Sequence, residues 1–307
     1  TTEKRGEDME LTKTINPQTR AGRQRKNSRT EKIVKRIVLY VCLALLCCFF
    51  LFPFFVMVCL SLLTDGDVVQ QVLFSPSGVI EIGNYVSILT VGSDYLRYFW
   101  NSLQVSLILA VGIPLVSSLC AFGFAKLRFH GRDVVYSIVL GTLMIPSVVT
   151  LVPLYVLYSM FGWINTLLPL WVPSLFGGGA TNIFLLRQFM KGIPDDLINA
   201  AKIDGASVFR IYLTICMPLC VPILLYVGYQ SFVGGWNNFI GPMTYLENGS
   251  KYVTLALGLY YDYGPVSNSY ANSAMAAGVV MTLPCIILFI FFQKYLIDGV
   301  AVAGLKA

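Results

Sequence analysis

Six stretches of this chain are free of Asp, Glu, Lys, Arg and His and run for about 20 residues or more: 37–63, 100–125, 134–157, 167–186, 219–240 and 271–292. Each is long enough to cross a hydrocarbon core of about 30 Å as a helix. Lipid offers the backbone no hydrogen-bond partner but itself, so each stretch is expected to be helical. The expected fold class is therefore an all-α polytopic membrane protein with six transmembrane helices. The fourth stretch carries Pro169, Pro173 and the triplet Gly177-Gly178-Gly179, so its outer half is expected to be broken or re-entrant. Composition agrees: only 12% of residues are charged, about half the share of a soluble domain.

Charge placement sets the expected orientation. Of 22 Lys and Arg residues, 11 fall in the first 36 positions. With the N-terminus inside, twenty basic residues lie on the cytoplasmic side, among them Lys126, Arg128, Arg132, Arg187, Lys191 and Lys294. Only Arg97 and Lys251 lie outside. This asymmetry follows the positive-inside rule and puts both termini in the cytoplasm. Segment 1–36 is expected to be a basic, disordered cytoplasmic tail. Its charge is read as a membrane-surface anchor rather than as a nucleic-acid-binding arm. Residues 37–307 form the expected six-helix domain, with 187–218 as its longest cytoplasmic loop.

What the spans lack narrows the chemistry. Ion-coupled carriers often keep an ionisable relay in the membrane, and none is present here. Sodium can still be held by carbonyls alone. The chain has no Gly-Lys dipeptide, hence no phosphate-cradling P-loop, so it is not a P-loop ATPase by itself. No catalytic residues and no metal ligands are expected. The single histidine, His130, sits in the short loop Phe129-His130-Gly131-Arg132 and reads as a solvated interfacial residue. The eight cysteines lie in or beside apolar segments and read as small packing residues.

The cytoplasmic stretch "IPDDLINAAKIDGASVFRIYLTICMPLCVP" holds the most local information. Pro194 suits a first helical position, and Asp195 and Asp196 suit the positive end of the helix dipole. That helix is expected to run through 197–203. Asp204-Gly205 is a turn signal. A second helix is expected over 207–215, with Ile211 and Ile215 on one face, before Pro218 and Pro222 mark the return to the membrane. Ala200, Ala201, Gly205 and Ala206 give a low surface that another backbone can approach closely. A plain connector between two spans explains the composition as well.

The run Asn199-Ala200-Ala201-Lys202-Ile203-Asp204-Gly205-Ala206, followed by Met217-Pro218 and Pro222, resembles the EAA loop of ABC-importer permeases. It differs in having Asn199 where that family usually has glutamate. Segments 101–132, 144–166 and 183–197 resemble the maltose-type carbohydrate importers, specifically their second permease subunit, as do "WNNFIGP" (236–242) and "QKYLIDGVAVAGLKA" (293–307). The resemblance covers about 36–307.

This resemblance implies the type I ABC-importer permease fold in a bacterial cell membrane. It implies a different second permease subunit as partner, two ATP-binding cassette subunits that hold ATP and magnesium, and an external solute-binding protein. No cofactor is implied on this chain. The coupling residues it implies are Asn199, Ala200, Ala201, Asp204, Gly205, Ala206, Pro218 and Pro222. The implied cargo is a sugar or oligosaccharide; glycerol phosphate or a similar solute is the alternative, and an ion-coupled carrier the more distant one. Candidates for solute contact are Tyr155, Asn165, Trp236, Asn237 and Asn238, because sugar sites combine aromatic faces with amides. Interfacial aromatic belts and helix-packing amides account for the same residues equally well.

Overall fold

A computed structural model describes residues 17–69, 79–90, 94–264 and 271–304. It is helical throughout, and no strand occurs among the described residues. The labelled helices are α1 (Pro17–Ser61), α2 (Gly83–Leu89), α3 (Asp94–Lys126), α4 (Arg132–Gly141), α5 (Ser147–Met160) and α6 (Ala180–Lys191). They continue with α7 (Asp195–Ile203), α8 (Val208–Leu219), α9 (Val221–Trp236), α10 (Ile240–Tyr245), α11 (Leu255–Tyr263) and α12 (Ala271–Gly304).

The chain divides into two compact units, Thr1–Met57 and Val58–Ala307. The first is built on α1, whose segment Ile33–Ser61 is long and apolar enough to cross a membrane. Residues 17–36 were expected to be disordered and are instead the opening turns of this helix. Arg, Lys, Gln, Ala and Glu are good helix formers, and they propagate a helix that the apolar segment behind them nucleates. Residues 1–16 of the expected tail lie outside the described residues.

In the second unit, α3 and the Ala271–Lys294 part of α12 are also apolar enough to span. The third expected stretch, 134–157, is not one straight helix. It bends by 100° between Arg132–Met144 and Ser147–Met160. The break is at Ile145, held extended (φ −81°, ψ 116°) by the following Pro146. A second bend, of 79°, separates α8 from α9 at the start of the fifth stretch, and α9 stops at Trp236, short of the expected 240. The fourth stretch is broken as expected: Leu168–Trp171, a 3₁₀ turn at Pro173–Leu175, three glycines at positive φ, then α6. The 12 residues of α6 rise only about 18 Å, too little to span alone. The described helices thus include three long apolar spans and two bent pairs. The closing motif 293–307 is helical to Gly304; residues 305–307 are outside the described set.

Helix α3 is the hub, packed against α9, α6 and α11, with α9 also packed on α12. Its sequence explains this. Ser102, Ser106, Ala110, Pro114 and Ser118 recur every four residues, giving one small-residue stripe along the helix. Gly228 of α9 meets that stripe so closely that a Cβ there would lie 2.9 Å from the Ala110 carbonyl oxygen. At the N-terminal end of α3, side-chain amides fasten loops to helices. Asn101 donates to the Lys251 and Val253 carbonyls, each at 2.9 Å. Buried Asn272 donates to the Leu63 carbonyl (3.0 Å) and Asp65 Oδ1 (2.9 Å). The C-terminal end of α3, at Lys126, carries the segment with the most distinctive sequence.

Candidate functional site

Segment 192–222 forms a helical knuckle. Ile193 is buried, and Pro194, expected as the first helical residue, is instead the N-cap of α7, which begins one position later at Asp195. Asp195 and Asp196 lie in the first turn of α7. The helix ends in a Schellman motif: Gly205 N–H donates to the Lys202 carbonyl (3.1 Å) and Ala206 N–H to the Ala201 carbonyl (2.9 Å). Gly205 has φ +80°, a conformation that glycine adopts at no steric cost. The Ser207 side chain then caps α8 by accepting from the Arg210 N–H at 3.3 Å.

The second helix differs from the expected 207–215. It runs Val208–Leu219 and contains a π turn over Tyr212–Cys216. The extra residue in the turn rotates the later side chains, so Ile211, Tyr212 and Cys216 are buried while Ile215 is only half-buried. The expected Ile211–Ile215 face is corrected accordingly. Pro218 does not end the helix. It sits in the α-turn after the π segment, and the sharp bend comes at Cys220, before Pro222.

The knuckle is anchored to the end of α3 by buried groups. The Lys126 side chain is 4% exposed, and its Nζ donates to Asp195 Oδ1 and to the Ile193 carbonyl, both at 2.6 Å. Asp195 is itself solvent-facing. The Lys126 hydrogen bond and charge, helped by Arg128 and Lys202, hold its carboxyl below the usual carboxylate range. Tyr212 Oη and Ser118 Oγ share a hydrogen bond of 2.8 Å, and the Tyr212 ring lies 5.3 Å from that of Phe122. Ile198 and Ile211 complete the buried face. Next to it, Arg187 at the end of α6 is only 7% exposed. Its guanidinium lies 3.8 Å over the Tyr136 ring, and its Nε donates to the Phe124 carbonyl.

The outward face has the expected small residues. Asn199, Ala200, Asp204 and Gly205 are exposed, and Ala201 and Ala206 are half-buried. Sequence reading missed its apolar residues. Ile203 is 86% exposed, and Leu197, Val208 and Phe209 are also exposed. The signal was available: at 100° per residue, Ile203 lies 140° around α7 from Ile198, so burying Ile198 turns Ile203 outward. Small residues flanked by exposed apolar side chains, on a base rigidly tied to a spanning helix, form a surface suited to a protein partner.

The five solute-contact candidates separate into two groups. Tyr155 and Asn165 converge on Tyr245. The rings of Tyr155 and Tyr245 are 6.4 Å apart and near parallel, and Asn165 N–H donates to the Tyr245 carbonyl at 2.8 Å. Asn165 has a left-handed φ of 61° and its Nδ2 reaches Glu247 Oε2 at 3.3 Å, while its Oδ1 is buried without a hydrogen-bond partner. Tyr158 and Trp163 extend this aromatic group. Trp236 lies elsewhere, fully enclosed between Phe99 and Phe232, its indole N–H donated to the Met281 carbonyl at 3.0 Å. Asn238 Oδ1 accepts from the Gly241 N–H at 3.1 Å, at the start of α10. Asn237 is exposed at the end of α9. Tyr245 and Glu247 were not distinguishable in sequence from other loop residues.

Comparison with known proteins gives one family and close relatives. The family model described as "binding-protein-dependent transport system inner membrane component" matches residues 113–302. The arabinooligosaccharides transport system permease protein AraQ of Halalkalibacterium halodurans is 34% identical over 76% of this chain and 82% of its own length. The trehalose/maltose transport system permease protein MalG of Thermococcus litoralis is 28% identical over 90% of this chain and 99% of its own. Among solved structures, a chain of a bacterial ABC transporter involved in import of the acidic polysaccharide alginate superposes with a TM-score of 0.71. That match has 22% identity and covers 87% of this chain and 98% of the other; it bears on the fold alone.

Proposed function

Since the chain belongs to the family of binding-protein-dependent transport system inner membrane components, we propose that it is the permease subunit of an ATP-driven importer for a sugar or oligosaccharide. The observation that carries this reading is the knuckle at 192–222: small and apolar residues face outward, and Lys126 and Tyr212 fasten its base to α3. Six membrane crossings with both termini in the cytoplasm fit the charge asymmetry, with the two bent pairs and the broken fourth stretch as the irregular crossings. The chain resides in a bacterial cell membrane.

In this reading α7 seats on an ATP-hydrolysing subunit, which holds the ATP and magnesium; this chain holds no cofactor and catalyses no reaction. Closure of two such subunits displaces the knuckle. The displacement passes to α3 through short, buried contacts that leave little slack, and from α3 to the helices packed on it. A different permease subunit completes the pathway, and an external binding protein delivers the solute. The names of the relatives support an oligosaccharide as that solute. Tyr155 and Asn165, joined by Tyr245 and Glu247, are the solute contacts we favour, since rings beside an amide and a carboxylate suit a sugar.

The test is affinity purification of the tagged chain from its native membranes, followed by reconstitution. A second permease and a P-loop ATPase are expected to co-purify and to support ATP-dependent oligosaccharide uptake. Recovery of this chain alone, still carrying solute, would overturn the proposal.

A further inference from the structure

We infer that the loop joining α3 to α4 holds the headgroup of an anionic phospholipid from the cytoplasmic leaflet, at a site formed by Arg128, His130 and the apolar face of α4. The inference rests on the orientation proposed above and adds a ligand to a part of the chain that transport leaves unexplained.

Residues 128–134 line an open cleft of about 410 Å³. The basic side chains around it are not equivalent. Lys126 is committed to Asp195 and the Ile193 carbonyl, and Arg187 to Tyr136 and the Phe124 carbonyl. Arg132 is held by both oxygens of Asp133, at 3.0 and 3.3 Å. Among the described residues, Arg128 and His130 have neither a hydrogen bond nor an ion pair, and both are exposed on the cleft. The cleft therefore presents a guanidinium and an imidazole; its lining carboxylate, Asp133, is taken by Arg132, and Asp195, whose carboxyl feels the Arg128 charge, is bonded to Lys126. This is the donor set that a phosphodiester takes.

The apolar surroundings favour a lipid over a free anion. Phe129 sits between the two donors and is exposed, with its ring packed on Phe124 at a centroid distance of 6.3 Å. Val134, Val135 and Ile138 are exposed on the first turns of α4 and continue away from the cleft along one side of the helix. A dissolved phosphate has no use for that strip; an acyl chain does. The geometry of α4 fits as well. The 100° bend that separates Arg132–Met144 from Ser147–Met160 sets α4 nearly across the direction of α5, so the first part of this irregular crossing runs along the membrane interface, as amphipathic helices do. Basic residues beside such a helix favour anionic lipid, by about five-fold per charge.

The experiment places the complete importer in nanodiscs of equal parts phosphatidylglycerol and phosphatidylcholine, transfers it to detergent, and counts retained lipids by native mass spectrometry. The wild type is expected to retain phosphatidylglycerol preferentially. The R128Q/H130Q variant is expected to lose that preference about five-fold or more, and V134S/I138S to lower retention with both basic groups intact. All four side chains are exposed, so folding is undisturbed, and thermal unfolding of each variant checks this. Equal phosphatidylglycerol retention by wild type and R128Q/H130Q would overturn the inference. So would retention that inorganic phosphate abolishes and V134S/I138S leaves unchanged, which would mean a plain anion site. Loss of the ATPase subunits from R128Q/H130Q with lipid counts unaltered would assign the two groups to a protein interface instead. Lipid counts do not depend on uptake, so a failed transport assay with intact lipid preference would count against the importer reading and not against this site.

Discussion

Gly205→Val tests the knuckle most directly, because the structure separates two effects that sequence reading merges. A Cβ at Gly205 meets nothing within 4 Å in this chain, so no internal clash arises. The backbone is another matter. At φ +80°, a β-branched residue costs about 1–2 kcal/mol relative to a right-handed conformation. Each 1.4 kcal/mol is tenfold in an equilibrium, so the Schellman turn is expected to lose about five- to thirtyfold in population. The cost is confined to an exposed turn. Expression and thermal unfolding of the complex are therefore expected to stay close to wild type, while uptake per ATP hydrolysed falls by at least tenfold in proteoliposomes. Gly205→Asn divides the explanation further, because Asn tolerates positive φ yet adds a side chain to the outward surface. If the turn alone matters, Asn restores most coupling; if a partner backbone needs the bare surface, Asn fails as Val does. A Gly205→Val complex with normal uptake per ATP would refute the reasoning and remove the knuckle from the transport cycle.

Lys126→Met is expected to weaken coupling several-fold with only a small loss of thermal stability, since Asp195 is left in solvent; uptake and unfolding measured on the same preparation check this. The pH dependence has a definite sign: the folded Asp195 carboxyl is held below its ordinary value, so its contact contributes above that value and is lost as pH falls through the lowered one. Coupling is thus expected to be flat from neutrality down to about pH 5, and a fall near pH 6 would assign the effect to another group. Gly228→Leu inserts a side chain where even a Cβ lies 2.9 Å from a backbone oxygen, and is expected to destabilise the α3–α9 packing by about 2–3 kcal/mol or prevent assembly, read as lowered thermal stability in detergent. Trp236→Phe removes the donor to the Met281 carbonyl and leaves a void, a loss of about 1–3 kcal/mol with unchanged solute KM; a raised KM at unchanged stability would restore Trp236 as a solute contact.

Helix existence was legible wherever burial in lipid is the governing force. An uncharged apolar run leaves its backbone no alternative, and α1, α3, α9 and α12 follow. Bends were not legible in the same way, because a proline inside an apolar run permits several outcomes. Pro53, Pro114 and Pro284 sit inside helices that continue, whereas Pro146 coincides with a 100° break. The difference seen is in the residue before the proline: Ile145 is extended (φ −81°, ψ 116°) ahead of Pro146, an outcome that a proline favours but does not dictate. The turn at Asp204-Gly205 was legible because glycine adopts positive φ at no steric cost and marks such a turn more strongly than any other residue. The π turn over Tyr212–Cys216 was not, since no local preference specifies it. What the turn achieves is visible only in three dimensions: it brings the Tyr212 hydroxyl to Ser118. The solute candidates mark the limit most clearly. Trp236 and Tyr155 are both aromatic residues at interfacial positions in the sequence, yet one is enclosed and the other is exposed, because burial depends on which helix faces α3.

In the proposed transport cycle, the same small-residue stripe on α3 that makes close helix packing possible would carry a displacement of the knuckle along the helix. Lys126, Phe122 and Ser118 lie at successive i−4 positions along α3, and each engages the knuckle through Asp195 or Tyr212. The same register continues upward as Pro114, Ala110, Ser106 and Ser102, where Gly228 packs at Ala110 and the Ser102 hydroxyl accepts from the Leu255 N–H at 2.8 Å. One face of a single helix therefore contacts the knuckle at one end and the 251–255 loop at the other. Small side chains have few rotamers in which to absorb a shift, and their short contacts pass it from backbone to backbone. A long, flexible side chain at Ser102, Ser106, Ala110 or Ser118, without the short bonds that fix Lys126 to Asp195 and Ile193, would hold the helices together by burial and still lose the transmission, which is the physical reason to expect coupling and stability to respond differently to substitutions along it.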